Sequence, residues 1–298
     1  MIRYATAAAA EAALGRGMTW AEAAWLRYSA ATPDYCLYCH NVAILLAVYT
    51  LAPLLELLAP PALTSPYKLQ PRVRLPPAAF LRCYWHTARL LILAVGALAL
   101  LSYPVLKMVG IWTGLPLPSV GEVAAQLVVY FLVEDYLGYW LHRLLHTEWG
   151  YRNIHHVHHE FVAPISFAAP YAHWAEILIL GLPAFAGPAM VPCHITTFWL
   201  WFVIRHLEAI DTHSGFDFPF NPTKYIPFYG GAEFHDYHHY VGGRSKSNFA
   251  SVFTFCDYLY GTDKGYRYHK ASLAKLKDLA KWNDRKGGID AFNGEKQD

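Results

Sequence analysis

Three short histidine clusters hold most of the chemistry this chain can offer. They are His142-Arg-Leu-Leu-His146, His155-His156-Val157-His158-His159 and His235-Asp236-Tyr237-His238-His239. Of 16 histidines in 298 residues, 13 lie from His142 to His239. Neutral imidazole is a ligand for Zn, Cu, Fe and Ni. Residues four apart share a helix face, so His142 and His146 can point at one ion. In each HxxHH cluster the first histidine is three and four positions from the other two, so all three can converge on one site if the segment is helical. Setting His156 aside as the spare of its cluster leaves eight imidazoles, more than the four ligands of a tetrahedral zinc. The set suggests two metals, or one metal in a redundant pocket. Glu-x-x-His, which marks carboxylate-bridged di-iron bundles, does not occur, so a metal pair would be held mainly by nitrogen.

Further candidates surround these clusters. Asp135, seven residues before His142, falls angularly between His142 and His146 on a helix and is the acid placed to accept a ligand's second ring N–H. Glu134 is offset by one position. His173 and His213 bracket an apolar stretch and are expected on the ligand side, as ligands or as partners of ligands. His194 lies at the far tip of that stretch, and His206 reads as core or substrate cavity. His40, His86 and His269 read as incidental. Cys36-Leu-Tyr-Cys39-His40 matches the CxxCH haem-attachment pattern, but it reads better as a packed pair ahead of an apolar run. The five cysteines are scattered and form no disulfide framework. A GxGxxG dinucleotide motif is missing, so a redox activity would draw its electrons from another protein.

The elements that must carry these residues are helical and apolar. Apolar residues make up 55% of the chain and charged residues 15%, which excludes a disordered chain and an ordinary soluble enzyme. A net charge of +2 gives no nucleic-acid footprint. The N-terminus lacks the pattern of a cleaved signal peptide. Candidate spans cover 41–59, 88–106 and 120–141, the last holding Glu134 and Asp135. The segments 177–191 and 195–204 form either two full spans or a re-entrant hairpin. With five crossings, and the long tail discounted, one face carries seven Lys and Arg (Lys68, Arg72, Arg74, Arg82, Arg89, Arg143, Arg152) against three (Arg3, Arg16, Arg27) on the other. The positive excess predicts that the first face is cytoplasmic, and all three histidine clusters fall on it. The expected fold is therefore all-α: an integral membrane helical bundle with a cytosolic, histidine-rich metal-binding cap. Residues 1–40 would form a juxtamembrane segment, 41–271 the membrane-embedded catalytic domain, and 272–298 a charged cytosolic tail.

At these residues the sequence resembles the fatty acid hydroxylase and sterol desaturase superfamily, which is marked by three histidine boxes on a membrane protein. The resemblance is strongest to the C-4 methylsterol monooxygenases. It is carried by HRLLHTEWGYRNIHHVHHEF (142–161), APYAHWAE (169–176), EAIDTHSGFDFP (208–219), NPTKYIPFYGGAEFHDYHH (221–239) and NFASVFTFCDYLYGTDKGYR (248–267), with ATPDYCLYCHN extending it toward the N-terminus. The wording of APYAHWAE and YVGGRSKSNFASVFTFCDY is similar to the second plant class of sterol 4α-methyl oxidases.

The resemblance implies an endoplasmic reticulum membrane protein with a cytosol-facing di-iron centre. Its ligands would be His142, His146, His155, His158, His159, His235, His238 and His239, and His173 and His213 also fall on motif positions. It implies O2-dependent oxidation of the C-4 methyl of a 4α-methylsterol through alcohol and aldehyde to carboxylate, with electrons from NAD(P)H through cytochrome b5 and its reductase. A separate C-4 dehydrogenase/decarboxylase would follow, as a candidate neighbour in a complex. The di-lysine retrieval signal of relatives is absent, Lys296 alone being in register. The chemistry is consistent: a primary C–H bond has no acidic proton, so a cofactor must supply the oxidising power. Rival readings are a relative acting on fatty acyl chains or another sterol carbon, a zinc-dependent membrane hydrolase, and a metal-binding transporter.

Overall fold

The computed structural model describes residues 4–242 and 246–294, and among them every regular element is a helix. Two short helices, α1 (Ala7–Leu14) and α2 (Trp20–Ala31), precede the long α3 (Asp34–Leu58). A continuous α4 follows over Pro77–Val109, then α5 over Val120–Leu145. After the short α6 (Glu148–Asn153) comes a 3-10 turn, His155–Glu160. The helices α7 (Trp174–Met190) and α8 (Ile195–Thr212) form a hairpin. The chain ends with α9 (Gly231–Val241), α10 (Phe255–Tyr260) and α11 (Lys264–Gly294). α3 runs unbroken through residues 40 and 41, as α11 does through 271 and 272. Arg3 and Lys296, which entered the charge and retrieval-signal arguments, lie outside the described residues.

Contacts at the two ends fix the topology. At one end Trp25 Nε1 donates to the Thr113 carbonyl (2.9 Å) and the Thr113 hydroxyl donates to Asp34 (2.6 Å). There Trp112 exchanges main-chain hydrogen bonds with Cys193 and Ile195, while Gln126 and Tyr130 donate to the carbonyls of Pro192 and Val191. This end thus gathers the start of α3, the exit of α4, the first turns of α5 and the α7–α8 turn. At the other end Gln70 donates to Asp236 and to the Val162 carbonyl, and Leu69 N–H donates to the Gly215 carbonyl. Five helices, α3, α4, α5, α7 and α8, therefore run the full depth between two ends. The segment left open as two spans or a re-entrant hairpin is a pair of full-depth helices of 17 and 18 residues.

Two of these helices, α3 and α4, are long and apolar enough to cross a membrane. Only 22% and 11% of their most apolar windows are buried, unlike the core helix of a soluble protein. Leu51, Leu55 and Leu58 on α3 and Leu93 and Leu101 on α4 lie open, an apolar surface suited to acyl chains. The helix over the third candidate span, α5, is 26 residues long but carries Glu122, Glu134 and Asp135. Glu134 and Asp135 point into the bundle, where Arg205 of α8 reaches Glu134 (2.9 Å), Glu208 and the Ser251 hydroxyl (2.7 Å). Charges inside these helices are thus matched to each other and kept from the outer surface.

Starts and stops follow local chemistry. Ser119 caps α5 by accepting from Glu122 N–H, and Gly110 ends α4 in the left-handed region at φ 100°. The most extensive helix packing is between α5 and α7. A Cβ on Gly187 would stand 2.7 Å from Tyr130 Cδ1 and 2.8 Å from its Cα. That approach seats Tyr130 in the main core, with Trp201 and Phe198. Gly187→Ala is expected to push these helices apart and to destabilise the protein by about 1–3 kcal/mol, read as a lowered Tm in detergent.

Candidate metal centre

All the histidine clusters lie at one end of the bundle. His142 occupies the last turn of α5, and His146 is its C-cap. His155, His158 and His159 come from the 3-10 turn, His213 from the C-cap of α8, and His235, His238 and His239 from α9. The nine rings are buried and sort into two groups: His142, His146, His155, His159 and His238; and His158, His213, His235 and His239. Within each group the ligand atoms lie within 4.8 Å of one another. The groups adjoin, with ring centroids of His158 and His239 4.8 Å apart and of His159 and His238 4.9 Å apart.

The expectation that all three histidines of an HxxHH box converge on one site does not hold. Each box splits two to one. His155 and His159 join the first group and His158 the second, while His235 and His239 join the second and His238 the first. Neighbouring residues on a helical turn diverge by about 100–120°, so adjacent histidines cannot aim at one ion. The boxes interleave, and each supplies both groups.

Ring orientation gives the chemistry. His142 Nδ1 lies 2.8 Å from the Phe249 carbonyl, His238 Nδ1 2.7 Å from that of Ser247, His158 Nδ1 3.0 Å from that of Tyr171 and His213 Nδ1 2.7 Å from that of Ala209. A carboxylate oxygen of Glu176 stands 2.9 Å from His155 Nδ1. A carbonyl accepts only, so these four Nδ1 atoms carry the proton and leave an Nε2 lone pair facing inward. The Nε2 atoms then meet one another: His142 and His155 at 3.1 Å, His146 and His238 at 3.1 Å, His158 and His213 at 3.2 Å, His213 and His235 at 2.9 Å. In the His158–His213 pair both Nδ1 protons are committed to carbonyls, so two Nε2 lone pairs face each other and repel unless an electrophile lies between them. Burial, helped by neighbouring imidazoles, holds His155 well below its ordinary pKa, and burial pushes His158 down to about 4. Protons are therefore poor fillers, whereas a cation gains neutral ligands with no proton to displace. The donor set fits two nitrogen-bound metal ions.

Three residues differ from expectation or were missed. Asp135 does not reach a histidine ring. It sits about 10 Å along the helix from His142, and its carboxylate accepts from the N–H groups of Val252 and Phe253 (2.9 and 3.1 Å). With Asp257, which accepts from Phe249 and Ala250 N–H, it fixes the segment whose carbonyls hold His142 and His238. His173 joins neither group. Its ring caps α7 by accepting from Ala175 N–H (3.2 Å). Glu176, inside the APYAHWAE segment, is the carboxyl group that stands against a clustered ring where Asp135 was expected, and its signal was an acid immediately before a predicted apolar segment. His156 is exposed and is the spare of its box. His194 caps α8 at the opposite end, and His206 packs edge-on against Tyr49. In the CxxCH segment His40 stacks on Trp199 and bonds Tyr28, as a packed group does.

The fatty acid hydroxylase family model matches residues 127–262, which hold all nine clustered histidines. Over its full length the chain is 67% identical to the very-long-chain aldehyde decarbonylase GL1-10 of Oryza sativa subsp. japonica, covering 100% of both. It is 56% identical to methylsterol monooxygenase 1-2 of Arabidopsis thaliana, over 96% of this chain and 97% of that one. The chain belongs to the fatty acid hydroxylase family. Within this family, methylsterol monooxygenase 2-2 of Arabidopsis thaliana is 46% identical over 63% of this chain and 68% of its own. Overall identity is thus higher, and longer in extent, to the first-numbered series than to the second. No solved structure matches this family member.

Two predictions follow from the paired groups. His146→Ala and His213→Ala each remove a ligand from a different group, so bound metal measured by mass spectrometry should fall from about two ions per chain to about one in each, and to nearly none in the double variant. Glu176→Gln keeps the shape but loses the carboxyl group beside His155 Nδ1, and metal affinity should drop about 10–100-fold with the fold intact.

Proposed function

We propose that this family member is a membrane-bound, non-haem di-iron monooxygenase that oxidises the C-4 methyl group of a 4α-methylsterol. The observation that carries the reading is the pair of buried, inward-facing imidazole groups in a chain that matches methylsterol monooxygenases 1-1, 1-2 and 1-3 of Arabidopsis thaliana over 92–97% of its length. The proposed ligands are the nine clustered histidines. Asp135 and Glu176 act as positioning residues, and His173 is left to helix capping. Bound iron would supply the O2-dependent oxidising power that an unactivated C–H bond requires.

The chain's own groups do the rest. Main-chain carbonyls hold four of the rings in one tautomer, two in each group, so that both sites are partly organised before substrate arrives. Burial excludes water from the centre. The exposed leucines of α3 and α4 lie in the bilayer that dissolves the substrate. In this reading the histidine end faces the cytosol of the endoplasmic reticulum, as the lysine and arginine bias suggests, and electrons come from NAD(P)H through cytochrome b5 and its reductase. The product acid would pass to a separate C-4 decarboxylase.

A second reading is favoured by one observation, the 67% identity to the very-long-chain aldehyde decarbonylase GL1-10. It uses the same centre on a different lipid. Membranes containing the protein, given O2 and NAD(P)H, separate the two. The sterol reading expects a 4-hydroxymethyl or 4-carboxy product from the 4α-methylsterol, and a loss of more than about 100-fold in His238→Ala with the protein still inserted. Alkane from a long-chain aldehyde with the sterol unchanged would establish the second reading. Zinc in place of iron with no oxygen requirement would remove both.

A further inference from the structure

A cavity of about 190 Å³ lies where α3 ends, between that helix and the segments around Ser166 and Ser214. Its walls include Leu57, Leu75, Phe80 and Phe167. Glu56 is the single carboxyl group lining it. Among the described residues Ser166 is the one hydrogen-bond donor to Glu56, and it engages one of the two carboxyl oxygens. The one cation among the lining residues, Lys68, already donates to the Val73 carbonyl (2.6 Å). An acid at the end of an apolar span, among the exposed Leu55 and Leu58, is costly unless further donors reach it.

None of the clustered histidines lines the cavity, but its wall is joined to the backbone that holds one of them. Ser166 Oγ is 3.4 Å from the Ile210 carbonyl, and the preceding carbonyl, that of Ala209, holds His213 Nδ1 at 2.7 Å. Ser214, on the cavity wall, directly follows His213. The chain turns here at Gly215 (φ 74°), where a Cβ would stand 2.7 Å from the Pro164 oxygen, so the wall closes tightly beside the ligand. At about 190 Å³ the space is smaller than the roughly 300 Å³ of a site that encloses a whole ligand. It admits one end of a lipid, with the remainder directed to the leucine-covered surface.

We propose that this cavity is the hydroxyl-recognising end of the substrate site, with Glu56 accepting a hydrogen bond from the hydroxyl of a neutral lipid and Ser166 holding the carboxyl group in place. The assignment rests on the sterol reading above and deepens it. In a 4-methylsterol the hydroxyl-bearing carbon is the immediate neighbour of the carbon that bears the methyl, so a group that fixes the hydroxyl in this cavity also fixes which way the methyl is presented. A long-chain aldehyde has no hydroxyl to offer and gains nothing from Glu56.

Binding tests this separately from turnover. Metal-loaded protein in nanodiscs is titrated with a labelled 4α-methylsterol and with its 3-O-methyl ether, which keeps the oxygen but cannot donate. The wild-type protein should prefer the free hydroxyl by at least about tenfold. Glu56→Ala should bring that ratio close to one and leave affinity for the ether unchanged. Glu56→Gln, which keeps an acceptor oxygen, should retain part of the preference, and it serves as the measurement if the alanine variant does not fold. Metal content should be unchanged in both. An unaltered ratio in the variants, an equal loss of affinity for both ligands, or a wild-type protein with no preference would overturn the proposal. A hydroxyl preference that depends on Glu56, in a protein that leaves the C-4 methyl intact, would instead keep the site and remove the sterol oxidase reading.

Discussion

The structure depends on two adjoining groups of buried imidazoles whose ring nitrogens converge closely enough to hold a cation each. Nine imidazoles are buried together with several Nε2 atoms about 3 Å apart, and in the His158–His213 pair the outer carbonyls already claim the single proton of each neutral ring. Everything around the histidines maintains this arrangement. The long helices bring α5 and α8 to the same end, the 3-10 turn and α9 close over it, and Asp135 and Asp257 pin the segment that supplies two of the acceptors. The bundle holds the ligand set in place, and metal binding would remove the one enforced repulsion, between His158 and His213.

The interleaving of the two HxxHH boxes ties the parts together. Neither group is complete within one element: the first draws on α5, the 3-10 turn and α9, and the second on the 3-10 turn, α8 and α9. Each site therefore reports on the correct docking of three segments far apart in sequence. The turn 155–160 and α9 sit in both, so motion in either would be felt at both ions together.

Much of this was legible in the sequence, for physical reasons. Apolar runs of near-span length set the helices, and the bunching of histidines named eight of the nine clustered rings outright. His213 was reached through the argument that the hairpin returns to the same end. What the sequence hid was direction. Spacing shows that residues three and four apart are near one another, but whether adjacent histidines serve one ion or two depends on the divergence of their side chains, which needs the second element in place. Asp135 was misjudged because angular position on a helix ignores the rise along the axis. Glu176 escaped notice because its partner, His155, lies 21 residues away on another element. His173 shares its segment with Glu176, but its ring is spent on the helix start.

One feature of the outer acceptors bears on how this centre tolerates change over generations. Four of the rings are oriented by main-chain carbonyls, those of Tyr171, Ala209, Ser247 and Phe249. A carbonyl is present whatever side chain its residue bears, so substitution at these positions leaves the acceptor chemistry intact as long as the backbone keeps its path. Glu176 is the exception, since its acceptor belongs to a side chain that a single codon change can erase. The inheritance of the centre therefore rests on the ligands, Glu176 and the two aspartates that pin the carbonyl segment, while the residues that lend only a carbonyl can change side chain.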